Sequence, residues 1–300
     1  MSQSKCVPFG YFGAKAKIAS KIIEILPLHA AWVETFCGSA AITCLKNPAP
    51  IEIINDKDDN IVTFFRVMRT DLSRLLKAIA FTPYAKKEWE LAQEDCASCS
   101  DLEKARRFLV KTMMTVNGTL GKKSGFSFSD SYSRNGCEAR VSRWINLPER
   151  LKAVSKRLSK VRIENRDAIT LVERFSNRPA SLLYLDPPYL GERTKGYKVE
   201  AFEPEFHSAL LNKCTKSNSM ILISGYDNPI YRDALNLKSG WTRLLIETTT
   251  REVTGRDLPR TEVLWMNKHF TAAKRNGSIP IILSKKEKLN KKVNPARFFP

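Results

Sequence analysis

The chain has 300 residues, 43% hydrophobic and 27% charged, which suits a globular protein of one large domain or a domain carrying a substantial insertion. Lys and Arg total 50 against 31 acidic residues, a formal charge of +19, so DNA, RNA or an acidic membrane surface is a favoured class of partner. No apolar run approaches the roughly 18 residues needed to span a membrane, and the polar stretch Met1 to Lys5 leads into no apolar core, so no signal peptide is expected.

From the N-terminus, Phe9-Gly10-Tyr11-Phe12-Gly13-Ala14-Lys15 reads as a loop, with two glycines for freedom and Lys15 able to face a carboxylate. Lys17–Leu26 places Ile18, Ile22, Ile25 and Leu26 on one helical face. Ala31–Phe36 is a short apolar run of strand type, and Glu34-Thr35-Phe36-Cys37-Gly38-Ser39-Ala40 follows as a turn of small residues into a helix over Ala40–Leu45. A second strand, Ile51–Ile54, ends at Asp56, 18 residues beyond Gly38, a spacing suited to a ribose-binding carboxylate. The plain alternative is a tight strand–helix turn with Asp56 as a helix cap.

About a hundred residues then separate the second and third strands, far more than an ordinary crossover. Ile61–Ile79 has helical periodicity. Asp71–Gly118 is largely helical, with core pieces Ala78–Ala92 and Leu102–Thr115. Gly118–Asn146 is rich in Gly, Ser, Lys and Arg, interleaved with Phe126, Phe128, Tyr132 and Trp144, and Pro148–Lys160 returns as a basic helix. The seven cysteines form an odd set, which argues for a reducing compartment and thiols. The Cys96/Cys99 pair lacks the further ligands a zinc site needs, so no metal is expected.

Strand-like runs resume at Val161–Glu164, Leu182–Leu185, Met220–Ile223, Leu244–Thr249 and Val263–Met266, with a helix over Glu205–Cys214. Strands alternating with helices imply an α/β fold with a mostly parallel sheet. The run Leu182–Leu185 enters Asp186-Pro187-Pro188-Tyr189 directly. Two prolines forbid continuation of strand or helix, so an acid, a stiff turn and an aromatic ring emerge together at the carboxyl edge of the sheet, where open α/β sheets bind ligands. The basic tail from Lys268 onward, with Lys285, Lys286, Lys288, Lys291 and Lys292, reads as a solvated terminus.

These segments resemble the Dam-like N6-adenine DNA methyltransferases (the alpha group), across most of residues 7 to 267. Gly10–Lys15 is similar to the family's N-terminal cofactor motif, Glu34–Ala40 to its Phe-x-Gly-x-Gly turn with Ala40 for the second Gly, and Asp186–Tyr189 to its catalytic Asp-Pro-Pro-Tyr. Tyr11 stands where relatives often carry Trp, and Phe202, Ser224-Gly225-Tyr226 and Glu262–Asn267 resemble later blocks.

The resemblance implies a Rossmann-like catalytic domain from 1–65 and 160–270, an inserted, mainly helical recognition domain at 66–159, and a basic tail at 271–300. It implies that S-adenosylmethionine is held by Tyr11, Lys15, Glu34, Phe36, Gly38, Asp56, Asp167 and Asp186. Asp167 would meet the cofactor's adenine amine. The catalytic set would be Asp186, Pro187, Pro188 and Tyr189. Double-stranded DNA would be contacted by Lys122, Lys123, Arg134, Arg140 and Arg143. The expected reaction is direct transfer to adenine N6 of a flipped-out base, with Tyr189 stacking on that base. A cytoplasmic protein, bacterial or phage-encoded, is expected, with a cognate restriction endonuclease left open. Other amine acceptors (cytosine N4, RNA adenine, a protein glutamine) and an inactive DNA-binding regulator are the alternatives. Asp before Pro-Pro-Tyr favours adenine, and the lack of a Pro-Cys motif disfavours a ring carbon.

Overall fold

Apolar runs buried on both faces build the centre of the molecule. In the computed structural model, residues 7–10, 15–116, 125–130, 133–134, 136–190, 203–251 and 257–280 are described. In chain order they form α1 (Ala19–Ile25), β1 (Ala31–Glu34), α2 (Ala41–Leu45), β2 (Ile51–Asn55), α3 (Asp59–Thr70), α4 (Leu72–Ala80), α5 (Lys86–Gln93) and α6 (Asp101–Met114). There follow β3 (Ser133–Arg134), β4 (Cys137–Glu138), α7 (Ala139–Ile145), α8 (Leu147–Leu158), β5 (Arg162–Glu164), α9 (Ala168–Phe175), β6 (Ser181–Leu185) and α10 (Pro204–Thr215). The chain continues through β7 (Met220–Gly225), α11 (Pro229–Ala234), β8 (Thr242–Arg251), β9 (Asp257–Met266) and α12 (Lys268–Asn276).

Seven strands pair in the order β5-β2-β1-β6-β7-β9-β8, and β3 and β4 form a separate small hairpin. The β5 to β7 portion is parallel, while β9 runs antiparallel to β7 and β8 antiparallel to β9. The α/β class with a mostly parallel sheet is therefore as expected, and all seven expected strands are present. The strand order reverses between β1 and β6, where Glu34 lies opposite Tyr184. A crevice opens at such a reversal beyond the carboxyl ends of the strands.

Strand residues alternate between the two faces. Val33, Ile53, Leu183, Leu185, Ile221 and Ile223 pack under α9, α10 and α11. On the other face, Trp32, Leu182, Tyr184, Leu222 and Leu264 meet α1, α2 and α12. Near the β2 edge that second face is covered by α3 to α8. Ile54, Cys37, Cys44 and Phe9 belong to the same core as Phe64, Leu75, Phe108, Met113, Leu151 and Val154. Phe9 packs edge-on against Phe64 and Phe108, with ring centroids 5.1 and 5.0 Å away.

Four details depart from the sequence reading. The helix expected over Ile61–Ile79 breaks at Asp71, whose φ of −144° ends α3 before α4 begins. The piece expected over Ala78–Ala92 is interrupted at residues 81–85, because Pro83 disfavours helical geometry at Thr82. Cys96 and Cys99, expected as thiols, form a disulfide. They lie across a turn in which the Cys99 amide donates to the Cys96 carbonyl, holding their Cα atoms 5.1 Å apart. Residues 268–276, expected as part of a frayed tail, form α12 and bury Phe270 and Ala273; Lys285 to Lys292 lie outside the described residues. Among the described residues no helix is long and apolar enough to cross a membrane, and no cluster of three or more His, Cys, Asp or Glu could hold a metal ion.

Candidate active site at the sheet reversal

Asp186 leaves β6 at its carboxyl end, and three donors converge on one of its oxygens. Ser224 Oγ donates to Asp186 Oδ1 at 2.8 Å, the Tyr189 hydroxyl approaches at 3.1 Å, and Lys15 Nζ forms an ion pair at 2.8 Å. Ser224 is itself buried and lies 2.9 Å from the Tyr184 hydroxyl. Among the described residues no hydrogen bond falls on Oδ2. The carboxylate is thus clamped through one oxygen and presents the other.

Lys15 Nζ also sits 3.4 Å from Glu262 Oε1 and 4.8 Å from the centre of the Tyr189 ring. The Tyr189 hydroxyl hydrogen-bonds Glu262 as well as Asp186. A phenol carries one hydrogen, so it cannot serve both carboxylates at once. A proton held on Glu262 resolves this, and burial does push that carboxyl above its usual range. The Tyr189 ring packs edge-to-face on Tyr226 at 4.5 Å, and Arg260 lies over Tyr226 at 5.9 Å. A Cβ on Gly225 would lie 3.2 Å from Trp265, so the β7 end must be small there.

The neighbouring loop is set by backbone geometry. Gly38 (φ 47°) and Ala40 (φ 50°) are both left-handed, a conformation that costs a residue with a Cβ roughly 1–2 kcal/mol. Asp56 Oδ2 accepts from the Gly38 amide at 2.9 Å and Oδ1 from the Asp58 amide at 3.0 Å. Burial raises the Asp56 carboxyl to about 6 despite these bonds. Asp58, not Asp56, caps α3. Asn55 ties three loops together: its Nδ2 donates to the carbonyls of Thr35 (2.9 Å) and Arg166 (3.0 Å), and its Oδ1 accepts from the Arg166 amide (2.8 Å).

The residues named from the sequence divide as follows. The structure brings together Lys15, Asp186 and Tyr189, and separately Gly38 with Asp56. Glu34 turns into the protein, where its carboxylate accepts from the Thr43 amide at 3.1 Å and from the Thr43 hydroxyl; Thr43 in turn accepts from Trp32 Nε1 at 2.7 Å. Phe36 is half-buried, 6.4 Å from Phe206. Asp167 caps α9, accepting from the amides of Ile169 (2.9 Å) and Thr170 (3.4 Å). Arg140 and Arg143 lie on α7, Arg143 exposed. Tyr11, Lys122, Lys123, Tyr132 and Phe202 lie outside the described residues, as does the side chain of Arg134 on β3. Trp144 is buried with its Nε1 donating to the Thr82 carbonyl at 2.7 Å, a brace inside the helical layer, and Phe126 packs at a tilt beside Tyr84 and Trp89. Sequence reasoning assigned no role to Ser224, Glu262 or Asn55. Ser224 and Glu262 stood in recognisable blocks, whereas Asn55 was marked only by being a polar residue ending an apolar strand.

The model of the D12 class N6 adenine-specific DNA methyltransferases matches residues 11–252. The chain belongs to this family. No curated protein matches significantly. Solved structures of similar shape include an RNA methyltransferase, provisionally so classed, of Pyrococcus horikoshii (9% identity, 86% of this chain and 84% of that one, TM-score 0.38). Others are an S-adenosylmethionine-dependent methyltransferase of Agrobacterium tumefaciens (9%, 84% and 60%, TM-score 0.37) and a precorrin 8w decarboxylase of Methanobacterium thermoautotrophicum (8%, 84% and 89%, TM-score 0.34). Likenesses this distant say nothing of substrate.

Proposed function

We propose that this D12-family protein transfers the methyl group of S-adenosylmethionine to adenine N6 in double-stranded DNA, in the manner of the Dam-like group. The observation that carries the reading is the clamped Asp186, with three donors on Oδ1 and none from the described residues on Oδ2. The N6 lone pair of adenine is delocalised into the ring. Hydrogen bonds from both N6 hydrogens to fixed acceptors, Asp186 and the Pro187 carbonyl, localise it on nitrogen. Because the acceptors are already oriented by Ser224, Lys15 and the two prolines, little reorganisation accompanies attack. The bound cofactor supplies a sulfonium methyl as the electrophile.

The loops beside Asp186 suit such a cofactor. Asp56 offers a partly exposed carboxylate for ribose hydroxyls, and the left-handed Gly38 and Ala40 keep the turn tight enough for close backbone approach. Phe36 and Asp167 border the same carboxyl edge. A base must leave the duplex to reach Asp186, at a few kcal/mol; stacking on Tyr189 would return about 1–3 kcal/mol. Residues 66–159 would contact the duplex, with Arg140 and Arg143 facing phosphate or base edges. A restriction endonuclease acting on the same site would be the natural companion.

The test is to incubate the full chain with plasmid and labelled S-adenosylmethionine, digest the DNA and identify the labelled nucleoside. N6-methyladenine is expected, and Asp186→Ala should reduce it by at least a thousandfold, since it removes a preorganised acceptor at the reacting nitrogen. Cofactor binding by that variant should survive. Label in N4-methylcytosine, or an active Asp186→Ala, would overturn the assignment.

A further inference from the structure

We propose that Arg150, acting with Arg143, is a binding site for a phosphate of the DNA backbone, an inference that rests on the DNA reading above. Arg150 lies on α8, partly buried against α6. Among the described residues its buried Nε has no hydrogen-bond partner, and its Nη2 reaches only the thioether of Met113 at 3.7 Å. No carboxylate of the described residues lies within ion-pair distance. Burial, and repulsion from the Arg143 cation, pull the guanidinium down to about 10.

Three other partly buried arginines of the helical layer each have a carboxylate. Arg106 meets Glu88 and Glu103, Arg107 meets Glu103, and Arg157 meets Glu52, each within 2.9 Å. A half-buried guanidinium without a carboxylate is costly, and an apolar residue beside Met113 would pack there at no such cost. A ligand anion accounts for its presence. A guanidinium fork matches the paired oxygens of a phosphodiester, and a second cation near enough to repel the first could share that phosphate.

Position selects DNA as the source. The Arg143 guanidinium lies so close to Gly10 that a Cβ built there would sit 3.5 Å from Nη2. Gly10 and Lys15 are five peptide steps apart, hence within about 18 Å, and Lys15 touches Asp186. Phosphates of one strand follow each other every 3.4 Å or so along the duplex axis. A strand whose flipped adenine reaches Asp186 therefore carries phosphates past this pair of arginines within a few nucleotides.

The test compares the full chain with Arg150→Met and Arg150→Lys by anisotropy on a labelled adenine-containing duplex and a scrambled one, across a salt series. Arg150→Met should weaken binding to both duplexes roughly tenfold and lower the slope of log K against log salt by about one. Its melting temperature should be unchanged or higher, since an uncompensated charge is gone. Arg150→Lys should fall between the two. Wild-type binding matched by Arg150→Met in affinity and slope overturns the site, as does a lowered melting temperature, which would mark Arg150 as structural. If the wild type ignores duplex but inorganic phosphate raises its melting temperature and not that of Arg150→Met, the anion site stands and the DNA source falls. If neither duplex nor phosphate has an effect, both fall.

Discussion

Glu34 shows how much a single buried carboxyl does outside the chemistry. It lies at the end of β1, one strand from Asp186, yet its Oε2 is taken by both the amide and the hydroxyl of Thr43 in α2. Burial raises it to about 7 from an ordinary value of 4.5. The folded state therefore holds a proton that the unfolded chain releases near pH 4.5. Stability from this group is complete below that pH and declines as pH rises towards 7, by about 1.4 kcal/mol per unit and on the order of 3 kcal/mol in all. Asp56, raised to about 6, adds a decline of the same sign. Glu34→Gln keeps an acceptor for Thr43 but cannot ionise. Urea denaturation should find it close to the wild type at pH 4.5 and more stable by roughly 2–3 kcal/mol at pH 8; parallel curves would show that Glu34 is solvated. At this scale the motif residues Gly38, Asp56, Asp186 and Tyr189 were legible, because each follows a strand recognisable by composition. The left-handed turn persists with Ala40 where the family pattern has Gly. What the sequence hid is pairing across strands: Ser224 and Glu262 reach Asp186 and Tyr189 from 38 and 73 residues away, and no local pattern encodes that.

Between elements, one tie that holds the helical layer to the sheet, beside their shared core, is ionic. Glu52 on β2 accepts from Lys46, just past α2, at 2.7 Å, and from Arg157 on α8 at 2.6 and 2.9 Å. All three side chains are largely buried. Removing the carboxylate strands two buried cations, which costs far more than losing an exposed pair such as Lys152–Glu149, itself worth under about 1 kcal/mol. Glu52→Gln should lower unfolding free energy by roughly 3 kcal/mol or more, and the deficit should persist at high salt because the trio is shielded from counterions. A loss below about 1 kcal/mol would show that water reaches the pair. The strands themselves were readable as continuous apolar runs. Helix ends were not: Asp71 and Pro83 divide patterns whose periodicity runs through them, and the β3–β4 hairpin is too short to leave a signature. In α12 the buried Phe270 and Ala273 are outnumbered by Lys268, Lys274 and Arg275, so its composition resembled a tail.

For the molecule as a whole, the question is whether the segment between β2 and β5 behaves as a unit of its own. A recognition domain inserted into a catalytic domain would ordinarily have a separate core and open separately. Here one continuous core runs from Phe9, Cys37, Cys44 and Ile54 of the sheet side into Phe64, Phe108, Leu109, Leu147 and Leu151 of the helical layer. Stripping the helices away would expose the outer face of β2 and leave Phe9 without the rings of Phe64 and Phe108. Apolar surface buried in common couples the two parts, because neither opens without exposing its share of that core. The expected outcome is one calorimetric transition whose van't Hoff and calorimetric enthalpies agree. In native-state hydrogen exchange followed by mass spectrometry, peptides from α6 should be protected to the same free energy as those from β1 and β6. If α6 exchanges through an opening that leaves β1 and β6 protected, the helical layer is an independent unit. Recognition could then evolve without disturbing catalysis. If the energies coincide, a substitution on α7 or α8 that alters the duplex contacts proposed there also carries a stability cost at the candidate active site.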